Sequence, residues 1–163
     1  MALEIERKFL IKKLPMDIEQ FSHKEIIQWY FNDPTTGKSI RVRHIWDTYK
    51  VTRKKGFWLV REEIEVDINK DEFDQLRREV ENHFLEKTRY EIPYQWLIIE
   101  LDVYKNLQWL KTAEVEFTNK RDAKKFEAPE WFGEELTRMR EATNAYIANH
   151  GLSDELITLI NNW

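Results

Sequence analysis

The stretch EIERKFL, Glu4 to Leu10, sets charged and apolar side chains at alternate positions. In a β-strand residues i and i+2 share a face, so Glu4, Glu6 and Lys8 form one column and Leu3, Ile5 and Phe9 the other. The same two-residue period recurs over residues 26–32, 38–46, 48–55, 58–67, 84–91, 96–104 and 110–118, which with 3–11 predicts eight strands. Their charged columns are Arg41 and Arg43; Lys50, Thr52 and Lys54; Arg61, Glu63, Glu65 and Asp67; Lys87 and Arg89; Glu100 and Asp102; Glu114 and Glu116. The separators NDPTTGK (Asn32 to Lys38) and KKG ending at Gly56 are turn-forming, so neighbouring strands are expected to pair as antiparallel hairpins. Eight strands are about the number that closes into a small barrel and leaves no sheet edge.

Helical spacing appears in two places. Phe73, Leu76 and Val80 come after an Asn/Asp cluster and predict a helix over Asp71 to Asn82. After residue 118 the pattern turns helical through NKRDAKKFE, then Gly133 to His150, then Ser153 to Asn161 with Ser153 as N-cap. The expected fold is mainly β (α+β): one domain over 1–163, a closed antiparallel barrel over about 3–118 and helices over about 120–161.

Alternation alone also describes an ordinary antiparallel sheet with one face on a core and one in water. Against the solvated-sheet reading stands the sorting of sign. The first, fifth, seventh and eighth strands carry paired carboxylates, and the third, fourth and sixth carry paired bases. Like charges a few ångströms apart cost about 1 kcal/mol in water and about 4 kcal/mol at an effective dielectric of about 20, so such columns facing a lumen call for neutralising ligands. Carboxylate pairs suit Mg²⁺ or Mn²⁺, and arginine and lysine columns suit phosphate oxygens.

Composition narrows the field. The 163 residues fit one domain, and 26 Lys+Arg against 30 Asp+Glu leave a net −4, with neither a basic nucleic-acid surface nor an acidic tail. The absence of cysteine excludes disulfides, thiolate metal sites and cysteine nucleophiles. No apolar run nears the roughly 20 residues that span a bilayer, and the first segment lacks an apolar signal core, so a soluble, cytoplasmic chain is expected. There is no Gly-rich phosphate loop. His23, His44, His83 and His150 are scattered without ligand spacing and read as structural or surface groups, while Trp58, Trp96 and Trp109 read as core or outer-wall packing.

Together with the motifs downstream of it, EIERKFL resembles the N-terminal Glu-x-Glu-x-Lys signature of the CYTH superfamily, the triphosphate tunnel metalloenzymes. QWYF (Gln28 to Phe31), RVR (Arg41 to Arg43), Thr52 and Lys54, REEIEVDI (Arg61 to Ile68), EKTRYEIP (Glu86 to Pro93), IIELDVY (Ile98 to Tyr104) and AEVEF (Ala113 to Phe117) occur in the family's order. The resemblance covers about residues 3–150 and implies an eight-stranded tunnel with charged faces inward, binding a small-molecule triphosphate and Mg²⁺ or Mn²⁺. The apolar faces would then look outward, to be covered by helices or a second subunit, which makes a homodimer an expectation.

Carried over position by position, Glu4, Glu6, Glu114 and Glu116 resemble the metal carboxylates, with Glu65 and Asp102 as further metal or water-positioning groups. Lys8, Arg41, Arg43, Lys54, Lys87 and Arg89 resemble the phosphate clamp. Arg61 and Glu63 are expected to pair with each other or with the clamp. The implied reaction is metal-assisted attack of water on a triphosphate, with Glu4, Glu6, Lys8, Glu65 and Asp102 at its centre. Inorganic tripolyphosphate is the first expectation, then thiamine or nucleoside triphosphates, class IV adenylate cyclase chemistry, and a non-catalytic triphosphate-binding module. In the C-terminal motif Trp131, Gly133, Glu135, Thr137 and Asn144 fit, while Met139, Glu141 and Ala142 stand where the family commonly has Asp, Arg and Tyr.

Overall fold

A computed structural model describes residues 2–14, 17–31, 38–107 and 109–162. Nine strands and four α-helices succeed one another as β1 (Ala2–Ile11), β2 (Ser22–Tyr30), β3 (Lys38–Ile45), β4 (Thr48–Phe57), β5 (Val60–Ile68), α1 (Lys70–Arg78), β6 (Phe84–Tyr94), β7 (Leu97–Tyr104), β8 (Lys111–Glu116), α2 (Lys120–Lys125), β9 (Phe132–Glu135), α3 (Asn144–His150) and α4 (Asp154–Asn161). The first eight strands close on themselves in the order β5-β4-β3-β2-β6-β7-β8-β1, with β1 returning to β5. All these pairings are antiparallel. β1 shares one edge between two partners: Ala2 to Ile5 pair with β5, and Phe9 and Ile11 pair with the short β9.

Closure results from where apolar side chains find cover. The odd-numbered face of β1 points out of the barrel with Ile99, Leu101, Ala113 and Val115, and these pack beneath Ile18, Ala123, Phe126 and Phe132. A second core fills one end of the lumen, where Leu10, Tyr30, Leu85, Tyr104 and Leu110 meet Leu136, Ala145, Ile147 and Leu156 of the C-terminal segment. That segment is a plug. α1 covers part of the remaining outer wall: Asn69 and Glu72 form a reciprocal capping box, and Phe73 packs on Trp29, His44 and Tyr49. Leu3, Ile64 and Val66 stay exposed on the outer side of β1 and β5.

Several boundaries differ from the sequence reading, each for a local reason. β2 begins four residues early because Ser22 to Glu25 lack alternation yet pair in register with β6. The turn after KKG falls at Trp58 and Leu59 instead: Gly56 stays in the ladder at φ +122, opposite Arg61. The helix expected over 71–82 stops at Arg78. The helix over 133–150 is overturned: Phe132 to Glu135 form β9, Arg140 to Ala142 make one 3-10 turn, and only Asn144 to His150 are α-helical. Backbone pairing with β1 outcompeted helical propensity there. Trp58, Trp96 and Trp109 are not core, being 48%, 77% and 86% exposed at hairpin and loop tips, and Trp58 also borders the lumen. The turn expected at Asn32 to Lys38 lies largely outside the described residues.

Candidate active site

The inward columns enclose a cavity of about 300 Å³. β1 contributes Glu4, Glu6 and Lys8, β3 contributes Arg41 and Arg43, and β4 contributes Lys54. Arg61, Glu63 and Glu65 come from β5, Arg89 from β6, Glu100 from β7, and Glu114 and Glu116 from β8. The period-two pattern of each strand is what aims them together: in a closed barrel one face of every strand must share the lumen.

Opposite charges interlock across that lumen. Lys54 Nζ lies 2.8 Å from both Glu4 oxygens and 3.1 Å from Glu63. Arg61 holds Glu6 and reaches Glu4 at 3.3 Å. Lys8 Nζ sits 3.2 Å from Glu114, which also accepts from Arg89 Nη2 at 2.8 Å. Glu65 fastens the basic wall, accepting from Lys50 at 2.8 Å, Thr52 at 2.9 Å and Arg43 at 3.1 Å. Arg61 and Glu63 thus pair with cavity partners and not with each other.

The proton affinities reflect these contacts. Burial pushes the Glu114 carboxyl up, but Lys8, Arg89 and Lys87 outweigh it and hold it well below the usual range. Glu4 is likewise lowered against burial by Lys54 and Arg61. Glu116 goes the other way, raised by burial and by the carboxylates of Glu4, Glu100 and Glu63. Arg43 is pulled down to about 10 by burial and by Arg41 beside it.

Two expected site residues are walled off. Lys87 and Asp102, 2% and 0% exposed, pair with each other beneath the lining and do not face the cavity. Asp102 also takes Arg89 Nε at 2.6 Å and Nη2 at 2.7 Å, so it braces the guanidinium that reaches the lumen. Burial and the Arg89 charge pull Lys87 down to about 8. Other lining residues escaped the sequence reading. Tyr30 belongs to β2, whose inward face carries Ile26 and Gln28, so no charge column marked it. Thr137, Met139 and Asn144, singled out in the C-terminal motif without a role of their own, line the cavity from the plug together with Arg140, which the motif did not mark.

The carboxylates offer hard oxygen donors. Glu6 stands directly opposite Glu116 across the β1–β8 ladder, and Glu100 opposite Glu114 across β7–β8. Like charges facing each other in a ladder are destabilising, and a divalent cation relieves them. Among the described residues no three acidic or imidazole groups already converge at ligand distance, since Glu4, Glu6 and Glu114 are turned onto cations. The donor set nevertheless fits a hard divalent cation in kind.

The CYTH domain profile matches residues 2–148. An inorganic triphosphatase of Nitrosomonas europaea is 35% identical over 148 residues, covering 89% of this chain and 96% of its own. A solved structure of an inorganic triphosphatase superposes with a TM-score of 0.66 at 33% identity, covering 91% of this chain and 95% of that one. A protein from Pyrococcus horikoshii shares the fold at TM-score 0.59 and 22% identity, over 75% of this chain and 84% of that one. With the tunnel, its charged lining and these matches together, the chain belongs to the CYTH domain family.

Proposed function

We propose that this protein hydrolyses inorganic tripolyphosphate to pyrophosphate and orthophosphate inside the charged lumen. One observation carries the reading: Lys8, Arg41, Arg43, Lys54, Arg61 and Arg89 line one cavity, where burial and the neighbouring Arg41 already pull Arg43 down to about 10. Like cations gathered round one cavity are costly, and phosphate oxygens neutralise them with charge-assisted bonds. The related inorganic triphosphatase supports the same substrate. A cavity of about 300 Å³ lies at the small end of ligand sites, which suits a compact anion.

In this reading Glu4, Glu6, Glu114 and Glu116 hold Mg²⁺ or Mn²⁺, which supplies charge neutralisation at the phosphate oxygens. Lys8, Arg41, Arg43, Lys54, Arg61 and Arg89 hold the chain of phosphates in line. Water oxygen bonds to the terminal phosphorus as the anhydride P–O bond breaks, the water proton passes to a lumen carboxylate and on to solvent, and the bases stabilise the charge on departing pyrophosphate. Glu65 orients Arg43 and keeps the basic wall fanned. Asp102 and Lys87 act from behind the wall by fixing Arg89. A cytoplasmic location and a homodimer joined over the exposed Leu3, Ile64 and Val66 belong to the same proposal, the latter read by light scattering.

A screen of tripolyphosphate, thiamine triphosphate and ATP with Mg²⁺ and Mn²⁺, reading orthophosphate, tests it. Fastest release from tripolyphosphate supports the proposal. Faster release from an organic triphosphate transfers it to that substrate, cyclic nucleotide with pyrophosphate indicates a cyclase, and binding without turnover indicates a binding module.

A further inference from the structure

The plug does more than close the barrel, because it grips one cavity residue from three directions. Lys8 donates its backbone N–H to Thr137 Oγ1 at 3.0 Å, and its carbonyl accepts from Leu136 N–H at 2.7 Å. Its ammonium donates to Asn144 Oδ1 at 3.3 Å. Asn144 Oδ1 also accepts from the Tyr104 hydroxyl, which touches Thr112 Oγ1 at 3.4 Å within the wall. An ammonium can only donate, so the Asn144 atom facing Lys8 must be the carbonyl oxygen. That contact fixes which way the carboxamide points. Asn144 is itself a lining residue, and with its Oδ1 taken by Lys8 and Tyr104 the donor left on its carboxamide is Nδ2.

We propose that Asn144 is an anion-positioning residue of this site: its Oδ1 sets the Lys8 ammonium, and its Nδ2 donates to a phosphate oxygen of the bound triphosphate. The inference rests on the triphosphate reading above and deepens it. The basic wall supplies charge, whereas a carboxamide supplies a neutral donor of fixed direction, which adds position without adding repulsion between like cations. The plug is rigid enough for this. Thr143 caps α3 through the Tyr146 N–H, and Ala145, Ile147 and Ala148 are buried in the core that fills the barrel end.

Calorimetric titration of tripolyphosphate in EDTA, where turnover cannot intervene, separates positioning from support. Asn144→Asp keeps the shape and the acceptor for Lys8 but replaces the donor with a carboxylate. Its melting temperature should equal or exceed that of the wild type while the Kd rises at least tenfold. Asn144→Ala should raise the Kd severalfold with a small loss of melting temperature. Binding by Asn144→Asp within twofold of wild type overturns the inference, as does loss of affinity in both variants only in step with loss of stability. Arg41→Ala serves as the control: tight wild-type binding lost in that variant establishes the triphosphate reading independently of Asn144.

Discussion

Lys54 and Glu4 meet inside the barrel although their strands are not hydrogen-bonded to each other: β5 lies between them, and Lys54 Nζ still reaches both Glu4 oxygens at 2.8 Å. Such a contact requires the charged faces of β1 and β4 to curve toward one lumen. The pair also ties the two halves of the proposed chemistry, a carboxylate for cation binding and a base for phosphate. Replacing Glu4 by Gln removes that charge with little change of shape. Phosphate release should fall by about 10²-fold or more, as expected for loss of a group that acts in the transition state, and the melting temperature should also drop, because Lys54 and Arg61 make the ionised carboxylate stabilising.

Arg41 and Lys87 should separate cleanly, although both belong to basic columns. Arg41 lines the cavity, so Arg41→Ala should raise the tripolyphosphate KM about 10- to 100-fold, while relieving its crowding against Arg43 leaves stability unchanged or higher. Lys87 is sealed against Asp102, so Lys87→Ala should cost about 2–4 kcal/mol of stability and change KM only a few-fold. The Lys87 loss should depend on pH. Its folded value lies near 8, below the ordinary 10.5, so the unfolded chain binds its proton more tightly between those values. Wild-type stability relative to the variant therefore rises across that window. Denaturant midpoints at pH 7, 8 and 10 check both statements.

Glu116 predicts the opposite sign for an acid. Its carboxyl is raised by burial and by Glu4, Glu100 and Glu63, so ionising it destabilises the fold. Glu116→Gln should raise stability at pH 7 to 8 by at most about 1 kcal/mol, since the group is partly open to solvent. The gain should fade as pH drops through the raised titration point, where the wild-type side chain is already neutral. Thermal melts of both proteins from pH 4 to 8 measure it. Adding Mn²⁺ should erase the variant's advantage by stabilising the wild type.

Gly56 tests the lumen wall sterically. Its φ of +122 is disfavoured for side-chain-bearing residues, and a Cβ would lie 3.1 Å from the Val60 carbonyl oxygen and 3.3 Å from Arg61 Cα. Gly56→Ala should cost about 1–3 kcal/mol and should also lower activity, because the backbone that must shift carries Arg61. A normal melting temperature with full activity would show this stretch of the ladder to be tolerant.

The barrel was legible because alternation in β1 and in β3 to β8 was clean, and because sign sorted by strand in a way a solvated sheet does not require. Legibility failed where a residue's direction is set by distant packing. FGEE has no lasting period and becomes β9 only because Phe9 and Ile11 offer an edge. Asn144 and Thr137 enter the site through a plug whose path no local pattern encodes. Lys87 and Arg89 look equivalent in sequence, yet Arg89 reaches the lumen while Lys87 ends against Asp102. Tyr30 was missed because the strand expected over residues 26–32 carries no charge on the face that bears it, and Lys24, which shares that face, lies before it.

The most direct check on a charge-lined tunnel that cleaves a triphosphate is ³¹P NMR of tripolyphosphate incubated with the protein and Mg²⁺ or Mn²⁺. Pyrophosphate and orthophosphate resonances should grow in equal molar amounts, and Glu4→Gln should leave the tripolyphosphate spectrum unchanged over the same time. An unaltered wild-type spectrum with both metals, or equal hydrolysis by Glu4→Gln, would contradict the account.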